Sequence, residues 1–388
     1  MKYTHKKELN HDLSFEPCKF QDPQNRFYPF FSWVWSTPIK KEEIMRQLDE
    51  YVENNVKNLY IIPEPKDFRP ATMPTTLDPD YLTEEYFEIY RFAVKYAEKK
   101  GIGLWLYDEG GWPSGSACGK VIKKHSHLIS RNLSVREVPS PYTPSKDALA
   151  GYYNGKRIEK GFVSDGVIQE YYMKPKEGYY PNMADKRATE AFLEITHEQY
   201  KKHVGDMFGK TITATFTDET MAERDGWYDG FEKKFFERYG YDLLDHLPDI
   251  LTPKEEDVDE AGQQVRIDYT DLLAEVFAEN YFLLIRSWCN RNNLLSTGHV
   301  NGEHYTLQYG PGYHSILRQL RSFDIPGIDV IWRQIFPGND NHFFPRFASS
   351  AANQIGSPYT MTETYSVYGA GITFEQCVIF SSISSHEE

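Results

Sequence analysis

Thr211-Ile-Thr-Ala-Thr-Phe-Thr-Asp218-Glu219 is the stretch that decides the fold. A run rich in β-branched residues leads straight into two acids, the pattern of a buried strand that delivers carboxylates at its C-terminal end. A second run of the same kind, Pro358-Tyr-Thr-Met-Thr-Glu363, follows much later in the chain. Counted along a β/α alternation, the first is strand four and the second strand seven. In a parallel barrel all strands open their C-terminal ends on one face, so acids far apart in sequence converge there.

The flanking segments supply the alternation. Residues 27–35 read as strand one, 58–62 as strand two reaching Glu64, and 103–107 as strand three running into Asp108, Glu109 and Trp112. Between them, 41–56 carries Ile44, Leu48, Tyr51, Val52 and Val56 at helical spacing, and 83–100 carries Tyr86, Ile89, Ala93, Val94 and Ala97 before Gly101 stops it. From about 130 to 182 short Tyr- and Val-rich runs alternate with Pro, Ser, Gly and Asn, which predicts a small β insertion after strand three. Helical pattern returns over 189–208 and 265–290. Strand five is 294–300, strand six 328–332 and strand seven 359–362, with helices over 313–323 and 345–355 between them. Residues 1–26 are polar and aperiodic and read as an N-terminal extension to a 27–388 domain.

Seven β/α units near the number eight predict an α/β protein of the (β/α)8 TIM-barrel type. No glycine-rich dinucleotide fingerprint follows the first strand, which argues against a doubly wound sheet. No eighth strand is legible before Glu388, so the barrel is expected to be truncated before strand eight.

Net charge of −14 without a basic stripe excludes nucleic acid and anionic membrane surfaces as partners. Aromatic residues make up 15%, enough to fill a large core and leave flat rings for the apolar faces of sugars. Cys18, Cys118, Cys289 and Cys377 are scattered and form neither a zinc ribbon nor a disulfide framework. With no apolar run near the ~18 residues of a membrane span and no apolar stretch behind the N-terminal lysines, the expected location is cytoplasmic.

Two carboxylates flanking one bond are the equipment of glycoside hydrolysis. Glu219, beside Asp218, is the expected general acid, because a neighbouring like charge and partial burial raise a carboxyl pKa toward the working range. Glu363 is the expected second carboxylate, with Glu303 after strand five competing for that role. Asp108, Glu109 and Trp112 are expected to grip and stack a sugar. Trp33, Trp35 and Glu64 from strands one and two, with His299, Asn301, Asp329, Trp332 and Arg333, complete the expected rim. No cofactor is required. The metal-hydrolase alternative lacks a His-x-His at the end of strand one. A calcium ion on carboxylates such as Glu303 satisfies the preference for oxygen ligands, although no EF-hand spacing is present.

The block Leu104-Trp-Leu-Tyr-Asp-Glu-Gly-Gly-Trp-Pro-Ser-Gly-Ser116, with Phe216-Thr-Asp-Glu219, Gly298-His299 and Thr362-Glu363-Thr, resembles the α-L-rhamnosidase-like glycoside hydrolases of family 106. The resemblance implies a (β/α)8 barrel that cleaves glycosides, α-L-rhamnosides among them, with a carboxylate pair and inversion. The placement on strands four and seven is more common among retaining barrels, and carboxyl separation decides between the two. A sugar-binding barrel remnant without catalysis is the non-enzymatic alternative.

Overall fold

The computed structural model describes residues 17–68, 74–224, 226–251, 259–304, 313–331, 343–365, 373 and 375–377. Seven strands form one sheet in the order β1-β2-β3-β8-β9-β10-β11. They are β1 (Phe30–Trp35), β2 (Asn58–Pro63), β3 (Gly103–Tyr107), β8 (Ile212–Thr217), β9 (Leu295–Gly298), β10 (Ile325–Val330) and β11 (Met361–Thr364). Every neighbouring pair is parallel, as strand–helix alternation requires.

The sheet curls. Phe27, just before β1, meets Tyr359, just before β11, with ring centroids 6.0 Å apart, and the Arg26 guanidinium lies over the same Tyr359 ring. The first and last strands therefore approach each other at their N-terminal ends, and the described strands make a curled parallel half-barrel.

Local signals explain the supporting helices. Thr83 caps the helix Glu84–Lys100 by accepting from Tyr86 N at 3.2 Å. Glu84 and Glu85 sit in its first turn and Lys99 and Lys100 in its last, each complementing the helix dipole. The expected helix over 189–208 is divided at Thr196 into Lys186–Ile195 and His197–Val204. That over 265–290 begins earlier, at Glu260, and is interrupted by the π turn Ala278–Phe282. Among the described residues, no helix is long and apolar enough to cross a membrane.

The insertion after β3 is a four-stranded antiparallel sheet of β4 (Arg131–Val138), β5 (Ala148–Tyr153), β6 (Lys156–Ile158) and β7 (Ile168–Pro175), ordered β4-β7-β5-β6. Its Leu133, Tyr152 and Tyr171 pack with Trp227, Phe231 and Leu272 in a second core, separate from the one between the parallel sheet and its helices. Glu223, in the loop after β8, ties the insertion to the parallel sheet: its carboxylate accepts from Ser130 Oγ at 2.7 Å and Lys176 Nζ at 2.6 Å.

Strand β1 corrects one expectation. Trp33 and Trp35 point outward into the helix layer, where Trp33 Nε1 donates to Gln47 at 2.6 Å and Trp35 lies edge-on to Tyr86 and Tyr90. Both are buried core residues and do not face the mouth. Strand alternation fixed that they share a face, while the helices packed against the sheet fixed which face.

Candidate active site

The C-terminal ends of β8 to β11 converge on one imidazole. Gly298 closes β9 at φ 146°, and a Cβ there would meet Thr217 O at 2.0 Å, so only glycine lets β9 lie this close to β8. The next residue, His299, is thereby delivered beside the end of β8. Its Nε2 lies 3.0 Å from Glu363 Oε2 and 3.3 Å from Asp218 Oδ1. Its Nδ1 lies 2.9 Å from the Val300 carbonyl, which can only accept, so Nδ1 carries a proton. Nε2 faces two carboxylates and must carry the other.

Burial alone would push the imidazole pKa down, but the hydrogen bonds to Asp218 and Glu363 dominate and hold it well above its usual value. His299 is therefore a buried cation among acids. Tyr107, the last residue of β3, donates to Asp218 Oδ2 at 2.6 Å.

Glu219 follows Asp218 with φ 45°, a left-handed conformation uncommon for a non-glycine residue. Asn301 Nδ2 donates to Glu219 Oε2 at 3.0 Å. Burial raises the Glu219 pKa; Asp218 and Glu363 add to the rise, while His299 and Asn301 pull back. Asp329 sits opposite Glu363 in the parallel register of β10 and β11. Burial, reinforced by Glu303 and Glu363, pushes Asp329 up to about 9 against the His299 charge. Glu303 is also buried and pushed up to about 8, and its Oε1 has no hydrogen-bond partner among the described residues.

Two donor sets could hold a cation: Asp218, His299 and Glu363, and Glu219, His299 and Asp329. Within each set the ligand atoms lie within 4.8 Å of one another. Rich in oxygen with a single imidazole, they suit a hard ion such as calcium better than zinc. A bound cation would replace the charge that His299 supplies.

Asp218, Glu219, His299, Asn301, Glu303, Asp329 and Glu363 are thus brought together. Asp108 and Glu109 are corrected, because both are fully buried and consumed by structure. Asp108 accepts from Ser114 Oγ at 2.6 Å and Thr217 Oγ1 at 2.7 Å. Glu109 accepts from five backbone N–H groups of its own loop, those of Gly110, Gly115, Ser116, Ala117 and Cys118. Trp112 is 39% exposed on that loop. Glu64 is half-buried at the end of β2. Trp332 and Arg333 lie outside the described residues. The sequence reading missed Tyr107, Ser114, Tyr180 and Tyr313; of these only Tyr107, at a strand end beside two acids, carried a local signal.

Comparisons with known proteins give the arrangement a context. The sequence profile of glycoside hydrolase family 106, described as alpha-L-rhamnosidase, matches residues 173–373. A Formosa agariphila protein provisionally named a beta-glucuronidase is 20% identical over 90% of this chain and 35% of its own length. The solved rhamnosidase of Novosphingobium sp. PP1Y superposes with a TM-score of 0.69 at 14% identity, over 95% of this chain and 55% of that one. The chain thus spans about a third to a half of the relatives it matches.

Proposed function

Because the chain belongs to glycoside hydrolase family 106, the α-L-rhamnosidase family, we propose that it cleaves a neutral glycoside with Glu219 as general acid and Glu363 as second carboxylate. The observation that carries this reading is the convergence of both glutamates on His299, from strand ends far apart in sequence. Burial raises the Glu219 pKa toward the range a general acid needs, and in that role its proton passes to the departing oxygen as the glycosidic bond breaks. Glu303 and Asp329, raised to about 8 and about 9 chiefly by burial, remain largely protonated at neutral pH and so add little negative charge beside His299. That assignment leaves Glu363 to activate water or attack the anomeric carbon.

The sugar is a neutral one such as rhamnose, and not a uronic acid. Among the described residues no Lys or Arg ion-pairs with Asp218, Glu219, Glu303 or Glu363, and the cation His299 is already engaged by Asp218 and Glu363, so a sugar carboxylate would add to an excess of negative charge. We read the half-barrel as a sheet of the (β/α)8 type that lacks its eighth strand among the described residues, with the contact of Phe27 and Tyr359 supporting the curl toward closure.

Assay of the chain against aryl α-L-rhamnoside and aryl β-D-glucuronide tests the reading. Release of the aryl group from the rhamnoside is expected. Turnover of the glucuronide alone would overturn the neutral-sugar assignment, and rhamnoside binding without turnover of either substrate would support the non-catalytic alternative.

A further inference from the structure

The left-handed turn at Glu219 is not held by Glu219 itself. Four hydrogen bonds grip the backbone on either side of it. Ser114 N donates to Asp218 O at 2.7 Å, and Asp218 N donates to Ser114 Oγ at 2.8 Å. The Tyr313 hydroxyl donates to Thr220 O. The Tyr180 hydroxyl accepts from Met221 N at 2.9 Å.

Each of these two hydroxyls bridges two loops. Tyr180 donates to Ser114 O, so it joins the loop after β3 to the loop after β8. Tyr313 accepts from Asn301 N at 3.2 Å, so it joins the loop after β8 to the loop after β9. Asn301 is also the residue whose side chain bonds the Glu219 carboxylate. Both phenols are buried, and each has its donor and one acceptor site filled. A non-glycine residue at φ 45° persists only where its surroundings over-determine it, and these bonds do so on both sides.

We propose that Tyr180 and Tyr313 are positioning residues for the general acid: their hydroxyls hold the 219–221 segment in the turn that aims the Glu219 carboxyl at the leaving-group oxygen. The proposal rests on the reading of Glu219 as acid and adds the part of the fold that aims it. A misaimed acid slows bond cleavage where protonation matters and leaves sugar binding nearly untouched.

The test is Tyr180→Phe and Tyr313→Phe, each keeping the ring packing, assayed on aryl α-L-rhamnosides of graded leaving-group ability. Each variant carries the test alone, so failure of one to fold leaves the other. We expect kcat to fall about 10- to 100-fold on the poorest leaving groups and less than about threefold on the best, with KM within about twofold. Equal losses across the series, or a lowered Tm with wild-type kinetics, would make the tyrosines merely structural and overturn the proposal. Glu219→Gln run alongside separates the two claims. If it gives the leaving-group contrast and the tyrosine variants do not, only the positioning proposal fails; if it shows no contrast, the acid assignment fails first.

Discussion

Two strands of this molecule end in the same way, Tyr107-Asp108-Glu109 after β3 and Thr217-Asp218-Glu219 after β8. Their fates are opposite. The first pair is fully buried and saturated: hydroxyls of Ser114 and Thr217 occupy Asp108, and a cage of backbone N–H groups occupies Glu109. The second pair meets an imidazole, a phenol and an amide, and Glu219 stays partly exposed at the mouth. An acid at a strand end is available for chemistry only when its own loop has not consumed its oxygens. The sealed pair has a task of its own, since Asp108 holds Ser114, which in turn holds Asp218.

The contrast can be broken most forcefully at Glu109. Glu109→Gln turns one acceptor oxygen into a donor and leaves at least two backbone N–H groups facing it. At roughly 1–3 kcal/mol for each orphaned buried group, a loss of about 2–6 kcal/mol is expected, read as a lower denaturation midpoint. Unchanged stability would mean that the cage contributes nothing.

Asp108 sharpens the contrast through pH. Burial raises its folded pKa to about 8, against its hydrogen bonds from Ser114 and Thr217. Nearby His197, held by burial down at about 3, supplies no compensating charge. A carboxyl whose folded pKa lies above its unfolded value keeps a proton that the unfolded chain has lost. Its contribution to stability therefore falls as pH rises from about 4 to 8. Asp108→Asn should flatten the decline of Tm over that window, and a decline as steep as in the parent would refute the raised pKa.

The smallest effect is expected at Trp112, which shares the sealed loop but is exposed. Trp112→Ala should raise KM about two- to tenfold, matching the ~0.5–1.5 kcal/mol of ring stacking, and leave kcat within about twofold. A change confined to kcat would exclude a stacking role.

Most of the strand order was legible in the sequence because each strand is a short β-branched or aromatic run set between helical periods. Asp218, Glu219, His299, Asp329 and Glu363 were legible for the same reason, since strand ends in a parallel sheet share a face. The sealing of Asp108 and Glu109 was not, because it depends on a loop folding back through left-handed turns at Gly115, Ala117 and Cys118. The outward facing of Trp33 and Trp35 depends on which layer covers β1. Tyr180 and Tyr313 act across long sequence separations, and no local pattern marks them.

The most direct measurement is kcat/KM of Glu219→Gln across aryl α-L-rhamnosides of graded leaving-group ability, with Glu109→Gln as the control. The account predicts a loss of about 10²–10⁴ for Glu219→Gln on the poorest leaving groups, shrinking to about tenfold or less on the most activated, while folded Glu109→Gln shows no dependence on the leaving group. A uniform loss for Glu219→Gln, or a leaving-group dependence in Glu109→Gln, would contradict it.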